Sequence, residues 1–193
     1  PVFVVKGEVY NMKLTYKEDL FLLDKLFQIK SIDFSNKVID KNELELDKVV
    51  VVFGGSYGIG LEIENQFLKY RAKVYSFSRS KNQTDVSSTT DVKKALKEVF
   101  EIEGKIDYVV NTAGILQKEP LVNMKYEDIL TSINVNYLGS IIVAKESFNY
   151  LKETNGHLLL FTSSSYTRGR AMYSIYSSVK AALVNFTQAI SEE

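Results

Sequence analysis

The sequence predicts an α/β fold in which a doubly wound parallel sheet lies between two layers of helices, a three-layer αβα arrangement. Residues 49–53 are four valines and a phenylalanine, which is typical of a strand buried on both faces of a parallel sheet. A glycine-rich turn follows, and apolar residues then recur at helical spacing. Further apolar strand candidates alternate with helical segments along the chain, as expected for successive βαβ units.

The composition narrows the possible classes of protein. With 193 residues, of which 45% are apolar, the chain can build one core and little more. Its 24 basic residues balance 24 acidic ones, so no overall field favours nucleic acid or an anionic membrane. The absence of Cys and the single His argue against disulfides and a metal site. We find no signal-type leader and no apolar run of membrane-spanning length, and we therefore expect a cytoplasmic location.

Residues 1–29 do not fit the parallel-sheet domain, whose first strand begins near residue 48. Short strands are predicted at 2–5 and 9–14, and Thr15 with Glu18 forms a capping-box pattern that predicts a helix ending near Gln28. Residues 30–47 are mostly polar and are predicted to be a linker. Because residues 1–29 are too few to bury a core alone, we interpret them as the C-terminal tail of an upstream domain.

The turn after the first strand has the features of a dinucleotide-binding loop. Gly54 permits the tight turn, Gly58 lets the backbone approach a phosphate, and Gly60 lets the helix pack on the strand. The backbone N–H groups at the start of the following helix suit a pyrophosphate. The candidate cofactor-binding residues of this loop are Gly54, Ser56, Tyr57, Gly58, Ile59 and Gly60.

The second predicted strand, residues 73–77, ends in Ser78 and Arg79. A domain that prefers NAD carries an acidic residue here for the ribose hydroxyl, whereas an Arg can bind a 2′-phosphate in bidentate fashion. The sequence therefore predicts NADP(H). Only five residues separate Arg79 from Asp85 and Val86, too few for a crossover helix. We expect a very short third strand there, with Asp85 and Val86 either flanking the adenine ring or capping the next helix.

The next predicted elements are a helix over 91–103 and a strand over 106–110 that ends in Asn111, Thr112, Ala113 and Gly114. Small residues at a strand end allow a flat ligand to approach, so Asn111, Ala113 and Gly114 are further cofactor candidates. A long helix is predicted from 123 to 150. It contains Asn134 and Asn136, and because Asn is not favoured in helix interiors, at least one should form a specific hydrogen bond.

The catalytic candidates follow the last predicted strand, residues 157–162. Ser163 comes directly after it, whereas His157 stands at its beginning and is predicted to be structural or exposed instead of catalytic. Tyr176 and Lys180 are four residues apart on the final predicted helix and share a face. An ammonium group beside a phenol favours the phenolate, so such a Tyr can exchange a proton near neutral pH.

Taken together and in this order, these motifs resemble the short-chain dehydrogenase/reductase family over residues 48–193, with a Rossmann-like fold. The resemblance implies that Tyr176 protonates a carbonyl oxygen, that Lys180 favours the phenolate and holds the nicotinamide ribose, and that Ser163 bonds the substrate oxygen. Asn136 would order a water in the proton relay. Phe53 and Thr112 depart from the family pattern and could weaken hydrogen bonds between the loop and the neighbouring strand. Family members are usually dimers or tetramers, and they continue beyond this chain, so we expect a sheet truncated at its C-terminal edge.

A second resemblance concerns residues 7–20, which are similar to the C-terminal end of sugar-phosphate cytidylyltransferases, with Lys13 at a phosphate-binding position. The two resemblances together match bifunctional bacterial enzymes that reduce ribulose 5-phosphate with NADPH and activate ribitol 5-phosphate with CTP for capsule or wall polymer. Two alternatives remain open. The chain could reduce another ketose phosphate or an unrelated carbonyl, or it could be a dinucleotide-binding module without catalysis.

Arg168 and Arg170 lie between Ser163 and Tyr176, on either side of Gly169. Guanidinium groups match phosphate geometry, and the glycine would let the loop turn both of them inward. They are therefore candidates for binding a sugar phosphate, although each could equally be solvated or pair with a carboxylate of a partner subunit.

Overall fold

The computed structural model describes residues 6, 13–31, 47–191 and 193, and it divides the chain into two compact units, Pro1–Leu44 and Glu45–Glu193. In the first unit, α1 spans Lys17–Ser31. The backbone N–H groups of Thr15 and Tyr16 both donate to Asp19 Oδ2 at 2.8 Å. Asp19 therefore accepts the hydrogen bond from the backbone of Thr15, and the capping-box prediction that Glu18 accepts it is wrong. The predicted strand at 2–5 lies outside the described residues, as does nearly all of the one at 9–14.

The second unit contains a parallel sheet whose described strands are β1 (Val49–Phe53), β2 (Lys73–Phe77), β3 (Tyr108–Asn111) and β4 (His157–Leu160). Their order is β2-β1-β3-β4, and every pair is parallel. The chain runs outward from β1 in one direction to β2 and in the other direction to β3. The confirmed doubly wound arrangement therefore has its switch point at the carboxyl end of β1, where ligands bind in folds of this class.

Alternate residues of β1 face two separate apolar layers. Val49, Val51 and Phe53 pack with apolar residues of α4 (Thr89–Glu103) and α6 (Gly139–Thr154). Val50 and Val52 face the opposite layer, which includes Ile63 and Phe67 of α2 (Gly58–Lys69). Every residue of β1 is fully buried, which explains why the strand is apolar throughout instead of alternating.

The remaining helices are α3 (Arg79–Asn82), α5 (Tyr126–Ile133) and α7 (Ser174–Ile190), with 3₁₀ turns at Leu121–Asn123 and Ser164–Tyr166. A π-helical turn, Asn134–Leu138, joins α5 to α6, so the long helix predicted over 123–150 is interrupted where its two Asn residues lie. Within the described ranges, no helix has the length and apolar character needed to cross a lipid bilayer.

The short third strand predicted at Asp85 and Val86 is absent, and that prediction is wrong. The Asp85 carboxylate accepts hydrogen bonds from the backbone N–H and hydroxyl of Ser87, at 2.9 and 2.7 Å, which curls the chain into a local turn. Ser88 then caps α4 by accepting from the N–H of Asp91. Residues 85–88 therefore form the turn that leads into α4. Val86 is buried in the core and does not pair in the sheet.

The amino end of the sheet is fixed by one buried carboxylate. Asp107 is 5% exposed and accepts from the backbone N–H of Val49 at 2.8 Å, and the ammonium groups of Lys48 and Lys105 each lie 3.4 Å away. Burial alone would raise the pKa of Asp107. The Val49 hydrogen bond and the two positive charges outweigh it, so the pKa lies below its ordinary value. This cluster ties β1 to β3 at the end opposite the carboxyl edge.

Candidate active site

A cleft of about 330 Å³ opens at the carboxyl ends of β1, β2 and β3. Its walls come from the turn after β1, the segment after β2 and the loop after β3, with one residue of the π turn and one residue that directly follows β4. Twelve of the residues predicted to bind a cofactor line it: Gly54, Ser56, Tyr57, Gly58, Ile59, Gly60, Ser78, Arg79, Asp85, Val86, Ala113 and Gly114. Ser80, Thr84, Thr112, Val135 and Phe161 complete the lining.

The glycine turn is held close to the end of β3. Gly54 has a φ of 88°, and a Cβ there would lie 2.5 Å from the backbone N of Ala113. The Thr112 hydroxyl donates to the carbonyl oxygen of Phe53 at 3.0 Å. A hydrogen bond therefore joins the loop to the neighbouring strand at positions 53 and 112, where the sequence departs from the family pattern.

The start of α2 fits an anionic group. Its N-cap residue, Tyr57, makes no side-chain cap, and the first turn carries no acidic residue. Gly58 has a φ of 60°, and a Cβ there would meet no atom within 4 Å, so this position borders open space in the cleft. Free N–H groups at a helix start attract phosphate oxygens. The residues present therefore fit the pyrophosphate of a dinucleotide.

The segment after β2 places a cation in the same cleft. Ser78 is 8% exposed and caps α3 by accepting from the N–H of Lys81, while the side chain of Arg79 is exposed. Burial would raise the pKa of Asp85, but hydrogen bonds from Ser87 and, to a smaller extent, the charge of Arg79 lower it overall. Lys81 is already paired with Glu64, at 2.8 Å.

The asparagines predicted to act in the site are both buried. Asn111 does not line the cleft; its Oδ1 accepts from the N–H of Ala113 at 3.1 Å and its Nδ2 donates to Ser140. Asn136 is fully buried in the π turn, and it exchanges hydrogen bonds of 3.1 and 3.0 Å with the backbone N–H and carbonyl of Ile115. It also donates to the carbonyl of Ser132 at 3.0 Å. A π turn often marks a functional position, and here it lets one side chain fix the loop after β3.

Lys180 stands at the centre of the predicted catalytic group. It is 6% exposed, and its Nζ donates to the carbonyl oxygen of Phe161 at 2.7 Å. The same atom lies 5.8 Å from the centroid of the Tyr176 ring and 4.0 Å from where a Cβ of Gly114 would be. Burial lowers the pKa of Lys180 below its ordinary value. The ammonium therefore lies between the loop after β3 and the phenol of Tyr176.

Ser163 caps the short 3₁₀ turn that follows β4, and its Oγ is 3.1 Å from the hydroxyl of Ser165. In the part of the chain that the structure describes, no hydrogen bond joins Ser163 to Tyr176. Arg168 and Arg170 are exposed on the loop between this turn and α7 and do not line the cleft. The residue of that loop in the left-handed region is Met172, with a φ of 71°, and not Gly169.

Several residues that line the cleft were not predicted from the sequence. Ser80 and Thr84 follow the carboxyl end of β2, and that position alone could have indicated them. Val135 precedes Asn136, and Phe161 follows β4. Both side chains are apolar, so nothing in the sequence distinguishes them from core residues. Among the described residues, no group of three or more His, Cys, Asp and Glu side chains could hold a metal ion.

Comparison with known proteins finds dehydrogenases and reductases. A family model described as short chain dehydrogenase matches residues 48–193. The chain is 52% identical over 194 residues to the bifunctional ribulose 5-phosphate reductase/CDP-ribitol pyrophosphorylase Bcs1 of Haemophilus influenzae; the match covers all of this chain and 41% of that protein. It is 30% identical over 164 residues to a mouse (Mus musculus) 3-oxoacyl-[acyl-carrier-protein] reductase, covering 77% of this chain and 70% of the relative.

A solved structure is similar as well. The ligand-free aldohexose dehydrogenase of Thermoplasma acidophilum superposes with a TM-score of 0.72 at 27% identity, covering 75% of this chain and 60% of that one.

Proposed function

The chain belongs to the short chain dehydrogenase family, and from this premise we propose that it reduces ribulose 5-phosphate to ribitol 5-phosphate with NADPH. Members of the family act on CH–OH and carbonyl groups with a nicotinamide dinucleotide. The observation that carries the proposed substrate is the 52% identity, across the whole chain, to a protein named as a ribulose 5-phosphate reductase. This chain spans 41% of that relative's length, so the proposal concerns the reductase step.

The side chains of the site supply the groups that such a reduction needs. When bound, the nicotinamide supplies the hydride. The phenol of Tyr176 donates a proton to the carbonyl oxygen, so that the product is a neutral alcohol. The hydroxyl of Ser163 donates a hydrogen bond to the same oxygen and stabilises the charge that develops on it. Lys180, held by the carbonyl of Phe161, keeps a positive charge beside the phenol and favours the phenolate that remains.

The preference for NADPH is supported by the segment after β2. Arg79 lies in the cleft with an exposed guanidinium, and Ser78 precedes it. The acidic residue in the cleft lining is Asp85, which already accepts two hydrogen bonds from Ser87. A guanidinium can bind a 2′-phosphate through two parallel hydrogen bonds, and it offers no acceptor for the hydroxyl of NAD.

The product suits the second activity in the relative's name. Ribitol 5-phosphate is the alcohol from which CDP-ribitol is made, and the printed name joins a reductase to a CDP-ribitol pyrophosphorylase. We therefore propose that the reductase supplies the cytidylyltransferase step. Residues 7–20, with Lys13, are proposed to belong to that cytidylyltransferase part.

The experiment that tests the proposed function is a substrate panel. The full-length protein is assayed for NADPH and NADH oxidation with ribulose 5-phosphate, with other ketose phosphates, and with the corresponding free ketoses. The proposal predicts the highest kcat/KM for ribulose 5-phosphate with NADPH. A higher value for another ketose phosphate would replace the substrate, and no oxidation with any carbonyl would favour a cofactor-binding module without catalysis.

A further inference from the structure

Two loops leave the carboxyl edge of the sheet and meet beside the start of α7. One follows β3 and contains residues 112–120, and the other follows β4 and contains residues 161–173. The backbone N–H of Glu119 in the first loop donates to the carbonyl oxygen of Met172 in the second, at 2.9 Å. Met172 is in the left-handed region, which a residue with a side chain adopts infrequently. This contact therefore holds the two loops at a defined position.

The contact brings Lys118 to the arginine-bearing loop. Lys118 Nζ lies 5.9 Å from the centroid of the Tyr173 ring, within the range of a cation–π interaction. The backbone N–H of Tyr173 in turn donates to the carbonyl oxygen of Arg170, at 3.1 Å. A lysine that lies about 50 residues away in the sequence is thus beside the turn that carries Arg170.

Three positive charges at this place have no ion-pair partner among the described residues. Lys118, Arg168 and Arg170 are all exposed. No carboxylate in the described part of the chain forms an ion pair with any of them. The first turn of α7 also carries no acidic residue and no side-chain cap, and an uncapped helix start adds to the positive potential. The start of α7 is therefore a place where an anionic group would be stabilised.

The position of this cluster relative to Tyr176 suits a phosphorylated ketose. Tyr173 precedes Tyr176 by three residues, roughly 5 Å along the helix axis. In an extended ketose 5-phosphate, the phosphate is separated from the C2 carbonyl by three carbons. We propose that Lys118, with Arg168 and Arg170, binds the terminal phosphate of a ketose phosphate whose carbonyl lies at Tyr176. This inference rests on the proposed function, and it adds Lys118 as a residue that determines specificity for the phosphorylated substrate.

The test measures binding without turnover. The full-length protein is saturated with NADPH, and ribitol 5-phosphate or ribitol is titrated in while the fluorescence of the bound NADPH is followed. This signal reports binding beside the cofactor and not binding at the cytidylyltransferase site, and reduced cofactor and reduced product cannot react. Wild type is compared with Lys118→Ala, Lys118→Arg, Arg168→Ala and Arg170→Ala. Lys94→Ala serves as the matched control, because Lys94 is an exposed lysine of α4 that does not line the cleft.

We expect wild type to bind ribitol 5-phosphate more tightly than ribitol, and Lys118→Ala to reduce that preference about 10-fold or more, as for loss of a charged contact. Lys118→Arg should keep most of the preference, and Lys94→Ala all of it. The proposal is overturned if wild type does not prefer the phosphorylated alcohol, or if Lys118→Ala keeps the wild-type ratio of the two dissociation constants.

The outcome for the proposed function is read separately, from turnover by wild type. If ribulose 5-phosphate is reduced but Lys118→Ala keeps its phosphate preference, the proposed function stands and the phosphate site is wrong. If wild type instead reduces a different ketose phosphate, the proposed substrate is wrong. The ratio of kcat/KM for that ketose phosphate over the free ketose, in wild type and Lys118→Ala, then decides the phosphate site by the same criterion.

Discussion

Gly54 and Gly104 both have left-handed backbone conformations, with φ values of 88° and 71°, but their surroundings differ. A Cβ at Gly54 would lie 2.5 Å from the backbone N of Ala113 and 2.8 Å from Thr112 Oγ1. A Cβ at Gly104, which caps the C-terminus of α4, would meet no atom within 4 Å. The pair Gly54→Ala and Gly104→Ala therefore separates the cost of the backbone conformation from the cost of the close approach.

The expected magnitudes follow from this difference. A left-handed conformation costs a residue with a Cβ about 1–2 kcal/mol, and at Gly104 this should be the whole effect on the free energy of unfolding. At Gly54 the end of β3 must also move, and overpacking of this kind costs a further 1–3 kcal/mol or so. We expect Gly54→Ala to lose about 2–5 kcal/mol in total.

Two assays are needed. Circular dichroism monitors unfolding in urea, and NADPH is titrated into the folded variants. Gly54 and Ala113 both line the cleft, so Gly54→Ala should weaken NADPH binding by about 10-fold or more, a difference of about 1.4 kcal/mol. Gly104→Ala should leave the affinity unchanged. Equal losses of stability in the two variants, or wild-type affinity for NADPH in Gly54→Ala, would refute the account of the glycine turn.

Three further predictions concern the cofactor, the catalytic proton and the fold. Arg79→Ala should lose about 10- to 150-fold in affinity for NADPH and little for NADH, whereas Lys81→Ala should change the preference less because its ammonium is already paired; equal binding of both cofactors by wild type would contradict this. Tyr176→Phe should lower kcat by about 10²- to 10⁴-fold with unchanged NADPH affinity, and a near wild-type rate would remove its assigned role. Asp107→Asn should lower the free energy of unfolding near pH 7 by about 1.5–3 kcal/mol. Because the pKa of Asp107 is lowered in the folded state, its stabilisation is present above about pH 4 and is lost as the pH falls through the folded pKa; urea unfolding at neutral and acidic pH should show the difference shrinking in acid, and a constant difference would contradict the assignment.

The features that could be predicted from the sequence are those written in short, local patterns. The all-apolar β1 and the glycines after it indicated the strand, the turn and α2 because each residue type there has a backbone requirement. The spacing of Tyr176 and Lys180 placed them on one face of α7 by helical geometry alone. The cleft lining then followed from the rule that ligands bind at the carboxyl ends of strands.

The features that could not be predicted depend on contacts between distant segments or on a choice between similar local structures. The π turn at Asn134–Leu138 has the same apolar spacing as a helix. It contains Asn136, whose side chain exchanges hydrogen bonds with the backbone of Ile115, 21 residues away. Asp85 could equally have ended a short strand or formed a turn, and the hydroxyl of Ser87 decides for the turn. Lys118 carries no motif at all, since its position depends on the bond between Glu119 and Met172.

The cleft and Tyr176 together are proposed to reduce a ketose phosphate, and transfer of an isotopic label from cofactor to product would demonstrate that reaction. The full-length protein is incubated with ribulose 5-phosphate and NADPH that carries deuterium at the transferable position of the nicotinamide. The product is then analysed by mass spectrometry. We expect ribitol 5-phosphate that carries the deuterium at C2, formed far more slowly by Tyr176→Phe. Ribitol 5-phosphate without deuterium, or label transfer at the same rate in wild type and Tyr176→Phe, would contradict it.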